Sequence, residues 1–168
     1  PPKETLPFAL RDQEARTARW EDYRGRVVAL TFLYTSCVDL CPLVAAKMEQ
    51  AHALLGDAAP EVAFLVITVD PERDTPEAIR AFSQKWGMLG KWDFLVGRAE
   101  ELQPLWDAYW VGEIRQEALG EGPAPAEEGY LVEHTSPVHL IDRQGWGRVV
   151  YGSDFLAEDL AHDARLLL

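Results

Sequence analysis

Two near-continuous apolar runs dominate the chain, VVALTFLY at 27–34 and VAFLVITV at 62–69. Runs of this length, rich in Val, Leu and Ile, predict strands buried on both faces. Between them Leu43, Val44, Ala46, Met48, Ala51, Leu54 and Leu55 give one apolar side to a helix over 42–55, which Gly56 ends. A second helix starts after Thr75, a fitting N-cap, with Pro76 in its first position, and Gly87 closes it. A short strand follows at 92–96, and then a helix at 99–109 whose middle is weakened by Pro104. Residues 8–10 and 16–20 read as an N-terminal hairpin around a turn at 12–15. Residues 137–143 and 148–153 read as a second hairpin, and a last helix runs from about 154 with Ser153 as its cap. The segment 117–129, EALGEGPAPAEEG, reads as an inserted mobile acidic loop. No internal repeat is present. Two strands joined by a helix predict a parallel pair with a right-handed crossover. The closing hairpin and helix make the whole an α/β fold, a central mixed sheet flanked by helices.

Composition narrows the picture. At 168 residues the chain fits one domain with a sizeable core. A net charge of −12 argues against a nucleic-acid partner, which requires a basic patch, and fits a solvated acidic surface. No apolar run approaches the roughly 18 residues that span a bilayer. The chain begins Pro1-Pro2-Lys3 without an initiator methionine. A processed or excised form, with a signal peptide or membrane anchor lost upstream, is therefore expected.

The only two cysteines are Cys37 and Cys41, in YTSCVDLCP at the end of the first buried strand. A staple across three residues barely constrains an unfolded chain, so a structural disulfide is a poor use of them. A redox pair and part of a metal site both remain. Because the residue before a proline avoids helical geometry, Cys41 is expected just ahead of the helix, with Pro42 as its first residue. The dipole and free N–H groups would then favour thiolate at Cys41. Two thiolates suit Cu(I), zinc or iron–sulfur. A four-thiolate cluster is impossible within one chain, and structural zinc would need two further ligands, whereas copper needs only two or three. Of four histidines, His52 lies roughly 16 Å along the helix from Cys41 and reads as a surface residue. His162 is likewise bland, and His139 reads as a packed strand residue. His134, just before a strand, is the candidate for chemistry.

These residues reach a known family. The chain resembles the Sco/SenC copper-binding assembly factors of cytochrome c oxidase through FALRD at 8–12, FLYTSCVDLCP at 32–42, TVDPERDTP at 68–76 and VEHTSPVHLID at 132–142. The resemblance spans nearly the whole chain. It implies a thioredoxin-like fold and a copper site made by Cys37, Cys41 and His134, taking Cu(I) and tolerating Cu(II). Val38 departs from the proline usual after the first cysteine, Glu133 from the commoner aspartate, and Ala15 from a frequent turn glycine. Pro137 aligns with the cis-proline of thioredoxins. Asp70, ending the second buried strand, and less firmly Asp39 are assigned a supporting role beside the ligands or in partner contact. The implied function is a copper metallochaperone for the binuclear copper A centre, tethered on the extracytoplasmic side of a membrane, the periplasmic side in a bacterium. Its partners would be the oxidase copper A subunit and another copper chaperone. The rival is a thiol-disulfide reductase using Cys37 and Cys41. Peroxide reduction ranks below both, since it explains neither the pair nor His134.

Overall fold

The computed structural model describes residues 4–112, 115–118 and 130–168. Strands β1 (Ala9–Arg11) and β2 (Thr17–Arg19) form the expected antiparallel hairpin. Asp12 organises its turn: one carboxylate oxygen accepts from the N–H groups of Glu14 and Arg16 at 2.8 and 2.9 Å, and the other from Arg16 Nε at 2.9 Å. Ala15 sits at φ 60°, in the left-handed region that favours glycine.

The apolar runs become β3 (Val27–Leu33) and β4 (Val62–Thr68), parallel and in register from Val27 opposite Val62 to Leu33 opposite Thr68. Every residue of both strands is buried, which is why neither alternates apolar with polar. Helix α1 (Leu40–Leu55) connects them. Helix α2 (Pro76–Lys85) follows β4, capped by Thr75, whose hydroxyl accepts from the Ala78 N–H. Strand β5 (Trp92–Leu95) then adds parallel to β4. After helix α3 (Ala99–Ala108), a separate antiparallel pair forms from β6 (Arg115–Ala118) and β7 (Tyr130–Glu133). Strands β8 (Val138–Ile141) and β9 (Gly147–Tyr151) complete the main sheet, in the order β5-β4-β3-β8-β9, with β8 antiparallel to β3. Helix α4 (Ala157–Leu166) packs on α1.

Helices cover both faces. His52 of α1 rests on Phe64, and Phe82 of α2 packs on Trp92 and Phe94, all on one side. Phe32, opposite Ile67 and so out of phase with Phe64, meets Tyr109 beyond α3 on the other.

Three expectations are corrected. Helix α1 begins at Leu40 rather than Pro42, so Cys41 is inside its first turn. A proline is tolerated there because the first N–H groups of a helix have no intrahelical acceptor. Helix α4 begins at Ala157 without a side-chain cap. A turn closed by the Phe155 N–H on the Gly152 carbonyl first swings Phe155 into the core, and the Ser153 carbonyl accepts from Lys47 Nζ. Glu117 and Ala118, read as loop, belong to β6, while the remainder of that loop, 119–129, lies outside the described residues. No peptide bond among the described residues is cis, so Pro137 is trans.

Candidate metal centre

Strands β3 and β4 end on one edge, and the antiparallel β8 starts there. The turn after Leu33 delivers Cys37 to that edge, with the Cys37 N–H on the Tyr34 carbonyl. Asp74 anchors this turn. One carboxylate oxygen accepts from the Thr35 N–H and hydroxyl at 2.9 and 2.7 Å, and the other from the Thr68 hydroxyl. Asp74 is buried, and burial pushes its carboxyl up to about 6 against those hydrogen bonds.

Asp39 is the N-cap residue of α1 but makes no side-chain cap. The Cys37 sulfur does that work instead, taking the Cys41 N–H at 3.4 Å. Both thiols are free, Cys37 half-buried and Cys41 fully buried. The Cys41 S–H, then the N–H groups of Asp39 and Cys41 and the Tyr34 hydroxyl, draw Cys37 down to about 6 despite partial burial. Cys41 is driven well above the usual thiol range, because its proton is given to Cys37 and its sulfur is buried. The favoured thiolate is therefore Cys37, where the sequence pointed to Cys41. The reason is the helix start: with Cys41 already inside the first turn, the free N–H groups point at the sulfur that precedes the helix.

His134 follows β7. Its loop is pinned by the Thr135 N–H on the Val111 carbonyl (2.9 Å), the Thr135 hydroxyl on the Trp110 carbonyl (2.8 Å) and the Thr31 hydroxyl on the Pro137 carbonyl (3.0 Å). Nδ1–H donates to the Thr135 carbonyl at 2.7 Å, which assigns the other lone pair to Nε2, 3.9 Å from Cys41 Sγ. Burial lowers the imidazole below its ordinary value, so the ring is kept neutral and ligand-ready. The ring also stands edge-on to Tyr34, with centroids 5.6 Å apart.

Cys37, Cys41 and His134 thus meet at one edge. Among the described residues no three ligand-type side chains are closed into a ready-made cage. The arrangement still suits a first-row ion: bonds of roughly 2.3 Å to sulfur and roughly 2.0 Å to nitrogen sum to more than the Cys41–His134 gap, so one ion can bridge them. Asp70 lies fully buried at the same edge, engaged by Arg73 Nε and by its own N–H on the Thr68 hydroxyl. Asp39 is exposed and reaches Cys37 through its backbone N–H. Asp74, which anchors the cysteine turn, is not among the site residues named from the sequence. The signal was there in the hydroxyls of Thr35, two residues past β3, and Thr68, the last residue of β4. The other histidines lie away from the cysteines. His52 is half-buried on Phe64 rather than at the surface, His139 is buried with Nε2 by the Tyr109 carbonyl, and His162 pairs with Asp163.

Known proteins share the sequence pattern and the fold. The SCO1/SenC family pattern matches residues 1–168. The chain is 32% identical over 162 residues to the bovine (Bos taurus) mitochondrial SCO2 homolog, covering 94% of this chain and 57% of that one. The curated relatives are thus longer, this chain spanning between 44% and 64% of the length of those it matches. The structure of Bradyrhizobium japonicum ScoI with copper bound superposes with a TM-score of 0.84 at 25% identity, covering 99% of this chain and 100% of that one. BsSco, described as a Sco-family cytochrome c oxidase assembly protein with a disulfide switch, shares the fold at a TM-score of 0.74 and 22% identity, covering 98% of this chain and 92% of that one. With its motifs, its thioredoxin-like mixed sheet and a match along its full length, this chain belongs to the SCO1/SenC family.

Proposed function

We propose that this chain is a copper metallochaperone that binds one copper ion through Cys37, Cys41 and His134 and passes it to the copper A subunit of cytochrome c oxidase. The observation that carries the reading is the His134 lone pair facing the Cys41 sulfur, with the opposite ring nitrogen held by Thr135. Two thiolates and an imidazole match the softness of Cu(I), and the nitrogen extends tolerance to Cu(II). Three ligands leave the ion open, so a partner thiol can bond to copper before the first chain lets go. Copper in the Bradyrhizobium relative and oxidase assembly in the description of BsSco support the reading. Asp70 and Asp39 are proposed to tune or flank the site, and a further copper chaperone is proposed as the donor. The proposed location is extracytoplasmic and membrane-tethered, in keeping with the mitochondrial bovine relative. Among the described residues no helix is long and apolar enough to cross a membrane.

The test is anaerobic Cu(I) titration of the reduced protein with a competing chelator, beside His134→Ala. One tight equivalent, weakened by about tenfold or more in the variant, is expected. No tight copper, or an affinity indifferent to His134, overturns the site.

The Cys37–Cys41 contact favours a second reading, thiol-disulfide reduction. The Cys37 thiolate would attack a partner disulfide, forming a mixed disulfide and releasing one partner thiolate. Cys41, giving up its proton, would then attack Cys37 Sγ and free the second partner thiol. The partner gains two electrons, and this chain ends as a Cys37–Cys41 disulfide to be reduced by an external dithiol.

A further inference from the structure

An open groove of about 530 Å³ lies beside Cys37, and His134 is not among the residues that line it. Thr35, Cys37, Val38 and Pro42 form one end. The rest is a single stripe of α2 and its C-cap: Ala78, Ala81, Phe82, Lys85 and, at the cap, Trp86, at the helical spacings that share a face. Alanines at 78 and 81 leave the channel empty, and Phe82 and Trp86 give it an aromatic floor. Val38 stands 84% exposed at its mouth, an unusual place for a branched apolar side chain without a partner. Asp74, next to the α2 cap, is tied to Thr35, so the start of α2 lies at the cysteine loop and Lys85 at the far end.

Charge makes the groove selective. In a chain of net charge −12, the groove is lined by one basic residue, Lys85, and by no carboxylate. Lys85 makes no ion pair among the described residues, and its ammonium lies 5.6 Å from the Trp86 ring centroid. From Ala78 to Trp86 the helix rises roughly 12 Å, the length of about four extended residues.

We infer that this groove docks an extended segment of the thiol-bearing partner, with a cysteine placed at Cys37, an apolar side chain over Phe82 and Trp86, and a carboxylate at Lys85. This rests on the reading that Cys37 meets a partner sulfur, and it holds whether copper or electrons then move. Apolar burial in the channel and one ion pair at its rim supply recognition, while the acidic surface elsewhere repels the same peptide.

The probes are acetyl-Cys-Ala-Leu-Glu-amide and its reverse, acetyl-Glu-Leu-Ala-Cys-amide, each as a 2-thiopyridyl mixed disulfide. Controls replace the leucine by serine or the glutamate by lysine. In the first step the Cys37 thiolate bonds to the peptide sulfur, the bond to the thiopyridyl sulfur breaks, and released thiopyridone is read by absorbance. At low salt one of the two Leu/Glu peptides should react about fivefold or more faster than its controls. Lys85→Glu should invert the acid-over-base preference, and Ala81→Phe, at an exposed position, should erase the leucine preference. A small neutral hydroxyethyl thiopyridyl disulfide should react equally with all three proteins. Equal rates for all peptides on the wild type, or preferences that survive both variants, overturn the groove. So does wild-type self-association that Ala81→Phe abolishes, which would assign the groove to a second copy. Copper titration of the same variants separates the two readings. Flat peptide rates with an intact copper site remove only the groove, and a peptide preference without copper binding removes only the copper reading.

Discussion

Replacing Asp74 by asparagine should make the protein relatively more stable at neutral pH than at acid pH. The asparagine side chain would retain an oxygen for the two Thr35 donors but could only donate to the Thr68 hydroxyl, which now donates to Asp74; that change is independent of pH, so the pH dependence of the difference reports the lost charge. In the folded wild type the Asp74 carboxyl is pushed up to about 6 from an ordinary 3.8. A folded value above the unfolded one means that the unfolded chain gives up the proton first. Stability is then lost as pH rises between the two values, and the penalty is absent below the lower and complete above the upper. At about 1.4 kcal/mol per pH unit, the gap amounts to about 3 kcal/mol. The assay is urea unfolding of reduced, metal-free protein by tryptophan fluorescence, wild type against Asp74→Asn, from about pH 3.5 to 7. Taking the difference cancels every carboxylate common to both proteins. The stability of the variant minus that of the wild type should climb by about 3 kcal/mol across this window. A flat difference, or one that falls with pH, would refute the claim that burial outweighs the three hydrogen bonds.

Further outcomes can be checked alongside the copper and peptide titrations. Ala15→Gly should raise stability by about 0.5–1 kcal/mol in the same urea assay, because the left-handed backbone at Ala15 costs roughly 1–2 kcal/mol and the flexibility of glycine returns part of that. A loss of stability would contradict the strain assigned to this turn. Iodoacetamide at neutral pH, read by peptide mass spectrometry, should modify Cys37 and spare Cys41, whose side chain is fully buried. Equal labelling would contradict the division of roles between the two sulfurs.

The core of the fold was legible because its cause is local. A strand buried on both faces needs an unbroken apolar run, and β3 and β4 have one each. The α2 start was legible for the same reason, since Thr75 and Pro76 act within one turn. The meeting of Cys37, Cys41 and His134 was visible only through matched motifs, because no periodicity links segments so distant. What escaped depends on tertiary context. The rule that a residue before proline avoids helix misplaced the start of α1, since sulfur capping by Cys37 and burial of Cys41 outweigh a weak steric preference. That single slip also misassigned the thiolate. Strand β6, RQEA, carries no apolar alternation and, among the described residues, pairs with β7 alone, off the main sheet, so nothing in its pattern marked it. Asp70 and Asp74 are indistinguishable in a turn-rich motif, and only the positions of Thr35 and Thr68 reveal which one holds the cysteine loop.

The separation of the site's parts along the chain bears on what an ion does to the fold. Cys37 and Cys41 are four positions apart and remain a chelating pair in an unfolded chain, whereas His134 is 93 positions from Cys41 and joins them only when β8 docks on β3. An ion that also binds the unfolded form stabilises the folded one only by the ratio of the two affinities. In the proposed site, that ratio for a thiophilic ion would be the share contributed by His134. Emptying the site therefore withdraws one ligand's worth of stability, and the buried strands beneath carry the rest. For the carrier proposed above, this arrangement would let the cargo leave while the chain stays folded, ready to be filled again.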